Sequence, residues 1–205
     1  MALTSRSRND ARIKMRARLS GGVRAAMNAP HHDHINTAFL QLSFAIKLWN
    51  FLDEHPIDKE KFDIDLTIQD PGNCVCLSGG EFHTYQDLQI ASENNISIAF
   101  GAAAITLWEA IREHGSVSTK QLDPKGSQKD SLAALSYMLR CCFAHGTAAP
   151  VWSIRDKKYR MQYHVGNKTI DLSAIKDRQV FDYQSIGGYE TLWLLKAEAH
   201  ANGLL

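Results

Sequence analysis

The residues of this chain best suited to chemistry are an arginine and a histidine five positions apart, in Leu139-Arg140-Cys141-Cys142-Phe143-Ala144-His145-Gly146. A guanidinium presents a planar fork of donors to phosphate, and an imidazole exchanges protons near neutral pH. Five positions turn through about 140° on an ideal helix, so the two side chains meet only if the helix ends between them. Gly146 is placed to end it, in the left-handed position that glycine favours. The plainer alternative pairs Arg140 with a carboxylate and leaves His145 beside the helix C-terminus, where a cation is stabilised. Cys141 and Cys142 are candidate reactive thiols, because His145 is close in sequence and a nearby cation lowers a thiol pKa, but adjacent cysteines on an apolar helix more often pack.

Other candidate clusters point less clearly to chemistry. His31-His32-Asp33-His34 has ligand residue types, but helical neighbours project about 100° apart. One tetrahedral site would need further ligands, so the segment reads as a polar helix start capped by Asp33 or Asn36, with no metal expected. Asp63 and Asp65 fall on the polar side of a candidate strand and read as a solvated edge. Trp152, Tyr159, Tyr163 and Arg160 combine aromatics with a cation after Pro150. They form either a base-stacking, RNA-binding surface or a small sheet packed on the helices. The four cysteines, Cys74-x-Cys76 and the adjacent pair, match neither a disulfide framework nor a paired CxxC zinc pattern. Reduced thiols and a cytoplasmic location follow.

Hydrophobic spacing supplies the elements that must position these residues. Phe39, Leu42, Ile46 and Trp49 predict a helix over 36–54. Ile96, Phe100, Ala103, Leu107 and Ile111 predict a second over 92–114, capped by Ser92 or Asn94 and closed by Gly115. Gly101 and the alanines at 102–104 let another helix approach closely. Leu132, Leu135, Leu139 and Cys142 predict the helix over 130–144, and YETLWLLKAEAHA a last one. Between the first two, strict alternation in FDIDLTIQD predicts a strand with one wet face, followed by a short run in CVCL. Beyond Pro150, VWSI, YRMQYHV and KTIDL predict three short strands, with Gly166-Asn167 as a hairpin turn.

With 205 residues, 44% of them hydrophobic and 22% charged, the chain has the composition of an ordinary globular protein. No apolar run reaches the 18 or so residues of a membrane helix, so no membrane partner is expected. The net charge of +1 hides an asymmetry: residues 1–30 hold seven basic side chains against one acid, leaving 16 basic and 21 acidic groups for the rest. This basic N-terminal arm, 1–30, lacks the apolar core of a secretory signal. Its Arg12 and Arg16 are candidate RNA contacts, and a solvated tail is the plain alternative.

An arginine near the end of an apolar helix, four intervening residues and His-Gly, within a helical chain, resembles the R-x4–6-H motif of the HEPN superfamily. The resemblance covers about 36–146 and the last helix. It implies a mainly α protein, an antiparallel four- or five-helix bundle, here with a small antiparallel β appendage. The domain would run over 31–205, with an insertion at 56–91 and a β-rich segment at 151–173. The resemblance further implies a homodimer and a metal-independent endoribonuclease without cofactor, acting in toxin–antitoxin, defence or RNA-processing systems, with an antitoxin or regulatory protein as partner. His145 would be the general acid/base, and Arg140 would hold the scissile phosphate. Cys141 stands where the superfamily usually has a polar residue, and Thr147 where one toxin branch has tyrosine. Both departures favour the other expectation, a non-catalytic dimeric module that binds nucleic acid, nucleotide or protein.

Overall fold

The computed structural model describes residues 31–205 apart from 71 and 72. The chain is mainly helical, with two small antiparallel sheets. Helix α1 (His31–Glu54) and helix α3 (Tyr85–His114) pack along one another. Between them lie a single helical turn, α2 (Lys59–Phe62), and a hairpin of β1 (Leu66–Asp70) and β2 (Asn73–Leu77). Helix α4 (Gln128–Phe143) lies against α3, followed by the hairpin β3 (Gln162–Val165) and β4 (Lys168–Asp171) and by helix α5 (Thr191–Ala201). Among the described residues, no helix is long and apolar enough to cross a membrane.

Capping chemistry sets where the long helices begin. Thr84 and Asp87 form a reciprocal capping box, so α3 starts seven residues before 92 and buries Ser92 in its interior. Ser127 and Asp130 form the same box at the start of α4. Gly115 caps α3 as expected, but neither it nor Gly146 takes the left-handed conformation. Gly115 has φ −76°, and Ser116 takes the left-handed position at φ 49°. The Val117 N–H donates back to the Arg112 carbonyl at 3.2 Å, the closing bond of a Schellman turn. Glycine is required at 115 by crowding instead, because a Cβ there would meet the Ile111 carbonyl at 2.7 Å. Gly146 is also absent from the residues of positive φ.

One core runs from Ile35 to Leu204. At its centre, Phe100 of α3 touches Phe143, Phe181 and Tyr183 with ring centroids 5.4, 6.0 and 5.2 Å apart. Gly101 admits Phe143 against the α3 backbone: an added Cβ would lie 2.7 Å from its ring. This is the close helix approach that the small residues predicted. Helix α1 turns a second apolar stripe to solvent, with Leu40, Phe44 and Phe51 at 69%, 57% and 50% exposure.

The insertion stands apart from that core. Residues 62–65 are not part of the strand, and Leu66, Ile68, Val75 and Leu77 are exposed, so neither face of the first hairpin is buried. Asp63 and Asp65 precede the strand, Asp65 exposed and Asp63 half-buried. They accept the Phe82 and Gly79 backbone N–H groups, each at 2.8 Å, and tie the base of the hairpin to the following loop. After Pro150 two strands form where three were expected, since residue 151 makes only a single bridge, to Val180. Gly166 turns the second hairpin at φ 57°.

Candidate functional site

The last turns of α4 and the chain that returns past it enclose a cleft of about 260 Å³. Tyr137, Arg140 and Cys141 stand at i, i+3 and i+4 and therefore share one helix face, and all three line the cleft. The helix ends at Phe143, with Ala144 as its cap; the Ala144 N–H donates to the Arg140 carbonyl at 3.0 Å. His145 follows on the turn and faces the same cleft. The helix thus stops between the arginine and the histidine, the condition for their meeting. The turn is held from α3, where the Ser97 hydroxyl donates to the Thr147 carbonyl at 2.7 Å.

The opposite wall comes from the extended segment after Pro150. It is fixed by the Val151 N–H to the Cys142 carbonyl at 3.3 Å, the Trp152 N–H to the Gln179 carbonyl at 2.8 Å, and the Ile154 N–H to Asp177 at 3.0 Å. Trp152 and Ile154 are fully buried, so alternation sends Ser153 and Arg155 to the other side, into the cleft. Asp156 caps the short 3₁₀ turn Lys157–Tyr159 through the Lys158 N–H. Tyr159 closes the floor, with its ring 5.7 Å from Tyr137.

The cleft is cationic. Arg140 is half-buried, while Arg155 and His145 are exposed. Among the described residues neither arginine has a carboxylate within ion-pair distance. Asp156 makes only a 4.0 Å pair, with Lys158. The two tyrosines are held neutral. Burial, and then the Cys141 thiol it contacts, raise the ionisation of Tyr137 against the opposing pull of Arg140. Burial, and then Tyr137, push Tyr159 up to about 12. Neutral phenols donate hydrogen bonds at physiological pH and do not act as bases. Cys142 faces the interior, donating to the Met138 carbonyl at 3.2 Å, and burial raises its thiol. Two guanidinium groups, one imidazole and neutral hydroxyls in one cleft can hold a phosphodiester and exchange a proton with it.

The other sequence candidates lie elsewhere. Arg12 and Arg16 fall outside the described residues. Arg160 does not line the cleft; its half-buried guanidinium donates to the Ile154 carbonyl at 3.2 Å. Trp152 and Tyr163, 0% and 1% exposed, belong to the core and offer no base-stacking surface; Tyr159, 6% exposed, shows only the little surface that floors the cleft. Histidines 31, 32 and 34 lie within α1. Among the described residues, no group of three or more histidine, cysteine or carboxylate side chains is placed to hold a metal. Arg155, Ser153 and Asp156 were missed by sequence reasoning. The only signal was that Ser153 and Arg155 alternate with the apolar Trp152 and Ile154. No family model, curated protein or solved structure matches this chain.

Proposed function

We propose that this protein is a HEPN-type helical bundle that cleaves RNA without a metal, working as a homodimer in a toxin, defence or RNA-processing role. The observation that carries the reading is the meeting of Arg140 and His145 in one cleft, with Arg155 added opposite them. A ribose 2′-hydroxyl attacks its own phosphate when a base removes its proton, and the bond to the 5′-oxygen breaks as that oxygen gains one. His145 takes the proton role, worth about 10²–10⁴-fold in rate. Arg140 and Arg155 bind the non-bridging oxygens and stabilise the charge of the phosphorane. The phenols of Tyr137 and Tyr159 stay protonated throughout. The exposed stripe Leu40, Phe44 and Phe51 on α1 supports pairing of two chains, because apolar patches of this kind on a surface mark contacts.

Cys141 on the cleft wall favours the second reading, a cleft that binds a phosphodiester without cutting it. The two part in one experiment: total tRNA and a mixed-sequence RNA are incubated with purified protein in excess EDTA, beside Arg140→Ala, His145→Ala and Arg155→Ala. Cleavage by wild type to 2′,3′-cyclic phosphate ends, abolished by His145→Ala, is expected. RNA retained uncut, with affinity lost in Arg140→Ala and Arg155→Ala, would leave the binding module. Neither cutting nor binding would sink both.

A further inference from the structure

The first hairpin carries a separate pair of reactive groups. Its register sets Thr67 opposite Cys76 and Gln69 opposite Cys74. Alternation therefore puts both thiols on one face and Leu66, Ile68, Val75 and Leu77 on the other. Both cysteines are exposed, and their Sγ atoms lie 3.8 Å apart. The bonds from Phe82 and Gly79 to Asp63 and Asp65 fix the base of the hairpin that presents them.

The separation is that of two ligands on one ion. With a metal–thiolate bond of about 2.3 Å, sulfurs 3.8 Å apart subtend about 110° at a shared centre. That angle suits three- or four-fold coordination without backbone movement. The number of ligands then selects the ion. A structural zinc site takes four protein ligands, and among the described residues no third cysteine, histidine or carboxylate joins this pair. Two soft thiolates alone favour a soft cation that accepts few ligands, and copper(I) is the first-row ion of that character.

We propose that Cys74 and Cys76 form a two-thiolate site for one copper(I) ion, with a small exogenous thiol or water as third ligand. Two Cu–S bonds form, each S–H releases its proton to solvent, and the metal enters and leaves as copper(I). No electron moves. The face is open to solvent on the side of the thiols, so an incoming thiol can reach the ion directly. The site suits transfer of the ion by ligand exchange better than storage.

The test titrates the reduced, full-length protein anaerobically with copper(I) against a coloured copper(I) chelator. One ion per chain is expected. Cys74→Ser and Cys76→Ser should each weaken uptake by about 10²–10⁴-fold, the usual gain from a second tethered ligand. Cys141→Ser should leave uptake unchanged, and zinc should not compete at equimolar concentration. Circular dichroism checks that each variant is folded. Equal uptake by wild type and both serine variants, no uptake by folded wild type, or displacement by equimolar zinc would each overturn the proposal.

Discussion

Replacing Gly101 with alanine sets two opposed effects against each other at one atom. In the interior of α3, alanine is favoured over glycine by about 1 kcal/mol through helix propensity. The added Cβ, however, would lie 2.7 Å from Phe143 Cδ1 and 3.1 Å from its Cβ and Cγ. Phe143 is 1% exposed, and its ring is wedged 5.4 Å from Phe100 and 5.0 Å from Phe181, so it has no free space to turn into. Overpacking of this kind costs about 1–3 kcal/mol. Packing outweighs propensity, and the net change is a loss of about 1 kcal/mol, or about 2–4 °C in Tm for a chain of this size. Phe143→Leu keeps Cβ and Cγ but frees the terminal carbons to choose another rotamer. The 3.1 Å contacts to Cβ and Cγ remain, so in that background Gly101→Ala should be near neutral, a coupling of about 1 kcal/mol. Urea unfolding followed by tryptophan fluorescence reads all four proteins, since Trp108 and Trp152 are buried at 3% and 0% exposure. Equal changes in both backgrounds, or stabilisation of the wild type, would refute the reasoning.

Iodoacetamide on the native protein should modify Cys74 and Cys76 quickly and spare Cys142 until urea is added, because burial raises that thiol and hides it; peptide mass spectrometry locates the adducts. Above pH 10 the protein should lose stability. Burial pushes Tyr159 and Tyr183 up to about 12, while an unfolded tyrosine ionises near 10. A raised folded value means that the contribution is whole below pH 10 and disappears as pH climbs towards 12. The urea midpoint should fall across that window, and phenolate absorbance from these two residues at pH 10 in a still-folded protein would contradict it. The proposed pairing through the exposed α1 stripe predicts a wild-type mass by light scattering of twice the chain, halved by Phe44→Glu without loss of helical content; a monomeric wild type, or an unchanged mass in the variant, would refute that contact.

The helices were legible because each must bury one stripe: Phe39 and Leu42 of α1, and Phe100, Ala103, Leu107 and Ile111 of α3, are all at or below 4% exposure, but the α1 stripe fades along the helix, with Ile46 half-buried and Trp49 38% exposed. Starts and stops were less so. Thr84-x-x-Asp87 spells a capping box, and buried Leu88 extends the stripe of Ile96 back towards it, but Ser92 interrupts that period and reads as a cap itself; Ser116 takes a conformation that its side chain does not advertise. The strand over 66–70 was visible as alternation, yet alternation cannot tell whether a neighbour will cover the apolar face, and here none of the described residues does. At the site, the meeting of Arg140 and His145 could be framed as a condition on where the helix ends. Arg155 could not be placed, because it reaches the cleft through tertiary hydrogen bonds that fix its segment. Aromatics beside basic residues after Pro150 suggested a surface, but Trp152 and Tyr163 went to the core because burying a large ring releases more water than exposing it.

Every wall of the cleft comes from residues 137 to 159. Yet those walls hang from distant parts of the chain: Ser97 of α3 holds the turn at Thr147, and Asp177 and Gln179 hold the segment at 152–154. A local opening that releases 177–179 should dissolve the cleft while the long helices stay packed, so hydrogen exchange at Trp152 and Ile154 would report loss of the site before any loss of helix.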